Sequence, residues 1–172
     1  VSKTAAAVLA FVCFTLFSIP MSAQLLPNGN VYAGVSIGEF LNVVPANKQT
    51  YRGWNGSVEV IPFARHLHLG LVIDGSGYYR TGVQQYNFVG GPRLATTYGK
   101  WRPFVHAMAG IQRVNSGGTI YNPIAIDVGG GVDYKIFFKN FSWRLQGDYI
   151  HTSYGGATQN AYRASTGIVW RF

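Results

Sequence analysis

Apolar and polar residues alternate one for one along much of this chain. In the segment 160–172, Tyr162, Ala164, Thr166, Ile168, Trp170 and Phe172 fall on one parity. Ala161, Arg163, Ser165, Gly167, Val169 and Arg171 fall on the other. Successive strand side chains point to opposite faces, so this period of two predicts a strand with one aromatic, apolar face and one face carrying both arginines. The same period predicts strands over residues 31–38, 51–60, 66–74, 85–96, 104–113, 123–134 and 142–152. The third is a clear case, with Leu67, Leu69, Leu71 and Ile73 set against His68, Gly70, Val72 and Asp74. The sixth sets Ile124, Ile126, Val128 and Val132 against Ala125, Asp127, Gly129 and Asp133. In the fifth, Val105, Ala107, Ala109 and Ile111 alternate with Phe104, His106, Met108 and Gln112, and the pattern alone leaves its facing open. Pro92 has no N–H for a ladder, so a bulge or strand end is expected there.

Eight strands of this length suit tilted membrane spans. The segments after strands two, four and six are short turns, at residues 62–65, 98–103 and 137–141. Those after strands one, three, five and seven are longer, and residues 40–49, 75–84, 115–122 and 153–159 are expected as loops. The pattern therefore predicts an all-β fold, an eight-stranded antiparallel transmembrane up-and-down β-barrel with short turns at one end and long loops at the other.

The charged residues give the barrel its inside. Glu59, Asp74, Asp127, Asp133 and Asp148, five of the six acids, share the parity opposite the apolar face, as do Arg93, Arg144 and Arg163. His106 joins them if the fifth strand turns that parity inward. Side chains fill the interior of an eight-stranded barrel, and charges removed from water need partners. A salt-bridged polar plug is expected rather than an open channel. A soluble barrel would reverse the facing, with apolar residues inside.

Composition agrees. Charged residues make up 12% of the 172-residue chain and aromatics 15%, against about 25% charged in ordinary soluble domains. The net charge of +8 has no clustered basic face and no nucleic-acid motif, so nucleic acid is not an expected partner. Residues 1–23 read as a signal peptide: Lys3, an apolar run over 5–19, Pro20, and a cut expected after Ala23. The barrel domain is then 24–172. The lone cysteine, Cys13, would leave with that peptide, so neither a disulfide nor a cysteine-based metal site is expected. Aromatic residues gather at both strand ends. Phe63, Trp101, Phe137, Phe138, Phe141, Trp143, Trp170 and Phe172 mark the inner ends. Tyr51, Trp54, Tyr78, Tyr79, Tyr86, Tyr149 and Tyr162 mark the outer ends, which predicts two interfacial girdles.

Residues 165–172 (STGIVWRF), with Gly167, Trp170 and Phe172, resemble the terminal assembly signal of outer-membrane barrels. The stretches 89–93 (VGGPR), 103–107 (PFVHA) and 129–133 (GGGVD) resemble the small OmpA-type, porin-like barrels. The resemblance spans residues 30–172. It implies the outer membrane of a Gram-negative bacterium, contact with outer-membrane lipid, recognition by the barrel assembly machinery, a monomer, and outer loops able to take a surface ligand. No peptidoglycan-binding domain follows in this sequence, so a cell-wall tether is not implied. The expected role is structural or surface-interacting, with no enzymatic activity, cofactor or metal. A narrow porin and a lipid A-modifying enzyme are the alternatives. The enzyme reading rests on His151 and Ser153, which resemble the His-x-Ser pair of the eight-stranded lipid A deacylases, although no carboxylate is evident to orient the imidazole. Gly129-Gly130-Gly131 lacks the Lys-Ser/Thr of a phosphate loop. His66 and His68 have one-face metal spacing without an evident third ligand.

Overall fold

The structure, a computed structural model, describes residues 28–43, 46–64, 67–80, 83–116, 119–136, 138–153 and 158–172. The signal peptide, Cys13, Pro45, His66 and Phe137 lie outside the described residues, as does the side chain of Phe63. Nine strands follow in order: β1 (Gly29–Val43), β2 (Ala46–Ala64), β3 (Leu67–Arg80), β4 (Val83–Thr96), β5 (Trp101–Ser116), β6 (Thr119–Tyr121), β7 (Ile124–Lys135), β8 (Phe141–Ser153) and β9 (Thr158–Arg171). Among the described residues, the short β6 pairs only with the end of β5. The other eight each pair antiparallel with their two neighbours, and β9 pairs with β1, so the sheet closes on itself.

Closure fixes the stagger. One rung runs from Tyr32 through Ser57, Asp74, Val89, Gly110, Ala125, Thr152 and Gln159, and returns to β1 at Asn42. The return point lies ten residues (42 minus 32) along β1 from the start, the shear that strand tilt imposes on a closed barrel. Leu71, Ile73, Val105, Ile124, Val128 and Leu145 face outward and are exposed, whereas the opposite parity is buried. An apolar outside and a filled, mostly polar inside define a membrane barrel.

Several sequence expectations are corrected here. The expected loop 40–49 is a tight hairpin, since β1 runs to Val43 and β2 resumes at Ala46. The expected loops 75–84 and 115–122 are likewise mostly strand. Alternation fades in these segments because it records a contrast between lipid and lumen. Backbone pairing needs no such contrast and continues. Pro92 causes no register shift: pairing with β5 lapses at Gly91 and Pro92 but keeps the same register from Gly90–Ala109 to Arg93–His106, and the β3 side is unbroken. The irregularity falls between Val60 and Phe63, around Pro62, inside what was expected to be a turn. The fifth strand turns Phe104, His106, Met108 and Gln112 inward.

The girdles are also redrawn. Trp54, Tyr79, Tyr86, Tyr149 and Tyr162 are exposed at one end, and Trp101, Phe138, Phe141, Trp143, Trp170 and Phe172 at the other. Tyr51 and Tyr78 belong inside instead, where they pack with Val72, Val89, Met108 and Ile150. Tyr78 and Tyr79 are sequence neighbours in one strand, so only one of them can face lipid.

Candidate functional site

The lumen holds two charged clusters. Toward the chain termini, Arg144 and Asp133 are direct cross-strand partners and form a fork: Nε donates to Oδ1 at 2.6 Å and Nη2 to Oδ2 at 3.0 Å. Arg171 Nη2 adds a donation to Asp133 Oδ2 at 3.0 Å. On the other side, Arg93 Nη1 donates to Glu59 Oε2 at 3.2 Å, and Asn30 Nδ2 donates to the same oxygen. Phe104 joins the two halves. The guanidinium carbons of Arg93 and Arg144 each lie 4.6 Å from its ring centroid, and Arg144 is also 4.9 Å from that of Tyr32. Weakly hydrated guanidinium planes stack on aromatic faces and keep their edges free for carboxylates.

The second cluster is centred on Arg163. Its Nε donates to Asp148 Oδ2 at 2.5 Å, Nη1 to Asp74 Oδ1 at 2.9 Å and Nη2 to Asp127 Oδ2 at 2.9 Å. One guanidinium thus ties β3, β7, β8 and β9 across the lumen. Gln146 Nε2 donates to both oxygens of Asp148. His106 Nε2 lies 3.0 Å from Asp148 Oδ1 and 3.7 Å from Asp127 Oδ1. Gly129 makes this approach possible. It sits on β7 between His106 on β5 and Asp148 on β8 in one rung. A Cβ there would collide with Asp148 Oδ1 and the Gly147 carbonyl.

All nine lumen residues singled out in the sequence are buried, and each has a charged partner among the others. Arg102, Arg171, Asn30, Tyr32 and Phe104 share the lumen and were not singled out. The parity of Arg102 with Phe104 and His106 was a usable signal, masked by its place in an expected turn. Gly167 and Trp170 lie on β9 beside β1, and Phe172 follows its last residue. Trp170 and Phe172 are exposed with ring centroids 5.4 Å apart and planes tilted by 47°, while the Phe172 and Gly29 backbones exchange two hydrogen bonds of 3.2 Å.

At the opposite end, His151 Nδ1 lies 2.8 Å from Asn160 Oδ1 on β9. Ser153 is exposed on the same outward face. The group beside the imidazole is thus an amide rather than a carboxylate.

A closed eight-stranded antiparallel sheet, lipid-facing outside and charged inside, defines a transmembrane β-barrel. No family model matches the sequence, and no curated protein matches it. Among solved structures the fold is similar to Neisserial surface protein A, NspA, at TM-score 0.65 and 14% identity over 84% of this chain and 97% of that one. It is similar to the N-terminal β-barrel domain of Pseudomonas aeruginosa OprF at TM-score 0.56 and 16% identity, over 84% and 99% of the two chains. It is also similar to the outer membrane enzyme PagL at TM-score 0.52 and 12% identity, over 80% and 97%. At such identities the likeness is one of fold.

Proposed function

We propose that this protein is a monomeric, non-conducting barrel of a Gram-negative outer membrane with a structural or surface-interacting role. The observation that carries this reading is the filled lumen. Two ion-pair clusters, the first bridged internally by Phe104, occupy the bore together with the Tyr51, Tyr78 and Met108 packing. Buried charges that satisfy one another in this way are expensive to separate, so they oppose a wet path. The outward face contacts outer-membrane lipid, and the outer hairpins are the surface left to meet a ligand. The terminal strand, with Gly167, Trp170 and Phe172, is the segment offered to the barrel assembly machinery. Single-channel recording of the refolded protein in planar bilayers tests the plug. Silence is expected, and stable openings would favour the narrow porin.

A second reading, a lipid-modifying hydrolase at the outer rim, draws on one contact. With its Nδ1–H donating to Asn160 Oδ1, His151 keeps Nε2 as an acceptor on the face it shares with Ser153. PagL is an enzyme with a similar fold. Release of fatty acid from lipid A by the parent protein, lost in Ser153→Ala, would establish this reading. An inactive parent protein would end it.

A further inference from the structure

We propose that His106, Asp127 and Asp148 form a binding site for a single divalent transition-metal ion of the zinc type inside the barrel. One ligand atom from each of the three residues lies within 4.8 Å of the other two. His106 Nε2 is 3.0 Å from Asp148 Oδ1 and 3.7 Å from Asp127 Oδ1. A tetrahedral ion with bonds of about 2.0–2.1 Å holds its ligands roughly 3.3 Å apart, between these two separations. Imidazole nitrogen with carboxylate oxygen is a donor set that suits zinc.

Asp127 Oδ1 carries the argument beyond a cluster of acids. Asp127 is 1% exposed, and this oxygen has no hydrogen-bond partner among the described residues although it is aimed at His106. A buried carboxylate oxygen held only by a 3.7 Å contact to an imidazole is under-satisfied, and a bound cation would supply the closer partner. The second oxygens are already held: Asp127 Oδ2 and Asp148 Oδ2 both accept from Arg163. Metal-ligating carboxylates are typically fixed from behind in this way. Charge points in the same direction. Asp74, Asp127 and Asp148 face one arginine and one histidine, so the carboxylates outnumber the basic groups that meet them. Arg93, the cross-strand neighbour of His106, turns to Glu59 and Phe104. Three protein ligands leave a fourth position for water or an anion. The ion would link β5, β7 and β8 directly.

The test uses the full chain refolded from metal-free denaturant into detergent with Zn²⁺, then desalted. Metal content is read by mass spectrometry, and folding by heat-modifiable gel migration. One zinc per folded barrel is expected, with X-ray absorption showing nitrogen and oxygen ligands only. His106→Gln and Asp127→Asn, each confirmed as folded, should weaken zinc binding at least tenfold, while His68→Gln should leave it unchanged. Absence of zinc from the folded parent protein would overturn the site. So would a sulfur shell from Cys13, or folded variants that keep their zinc. Should both lumen variants fail to fold, the absorption spectrum of the parent decides alone, because a purely aqueous oxygen shell contradicts the site.

Discussion

Arg163 and Asp148 are paired directly across β9 and β8, and Arg163 Nε donates to Asp148 Oδ2 at 2.5 Å along that rung. The remaining edges of the guanidinium reach Asp74 and Asp127, on strands that do not neighbour β9. One side chain therefore donates to three buried carboxylates. Removing one partner of a buried pair destabilises by about 3–5 kcal/mol, because the other charge stays buried and unpaired. Arg163→Met should lose at least that much, read as a lower urea midpoint by gel migration. Arg163→Lys should recover only part of it, since an ammonium cannot reproduce the planar fork. Arg113→Met, at an exposed position, should stay within about 0.5 kcal/mol. Equal losses at positions 113 and 163 would refute a central role for Arg163.

The plug makes a prediction about conductance. Arg93 and Arg144 both lie over Phe104, and each is held by a carboxylate. The double variant Arg93→Ala, Arg144→Ala removes both guanidiniums and leaves Glu59 and Asp133 lining the space. Planar-bilayer recordings should be silent for the parent and show small cation-selective openings for the variant. A folded but silent variant would mean that the apolar packing around Tyr51 and Tyr78 seals the bore alone.

Neighbouring glycines should respond in opposite ways. At Gly129 an added methyl meets Asp148 Oδ1 and backbone of β8, whereas at Gly147 nothing lies within 4 Å. Forcing a methyl into a packed interior destabilises by about 1–3 kcal/mol, so Gly129→Ala should lower the unfolding midpoint and separate His106 from Asp148. Gly147→Ala should be neutral or stabilising by up to about 1 kcal/mol, since alanine loses less chain entropy on folding. Urea titrations of both variants would show the contrast. A milder effect at position 129 would contradict the packed rung.

Alternation made the barrel legible because each strand separates lipid from lumen at every residue. It placed Asp133, Arg144, Asp148 and Arg163 inside. It could not show that Asp74 and Asp127 reach the guanidinium of Arg163. Those contacts depend on closure and on the ten-residue stagger from Tyr32 to Asn42, which are properties of the whole sheet. Tyr51 and Tyr78 were misplaced because tyrosine suits both an interface and a hydrogen-bonded interior. The hairpin over residues 40–49 was hidden for a related reason, since beyond the membrane neither face needs to be apolar.

The last strand separates assembly from stability. Phe172 closes the seam with β1 through backbone bonds to Gly29, and its ring rests on Trp170 at the exposed surface. Phe172→Ala keeps the backbone bonds and removes only a partly lipid-facing ring, so the folded barrel should lose no more than about 1 kcal/mol. If the assembly machinery reads Gly167, Trp170 and Phe172, the same variant should insert several-fold more slowly into proteoliposomes that contain the machinery. Unassisted refolding into detergent should proceed at the parent rate. Equal slowing in both settings would assign Phe172 to barrel closure itself. Parent-like insertion in both would remove it from assembly altogether.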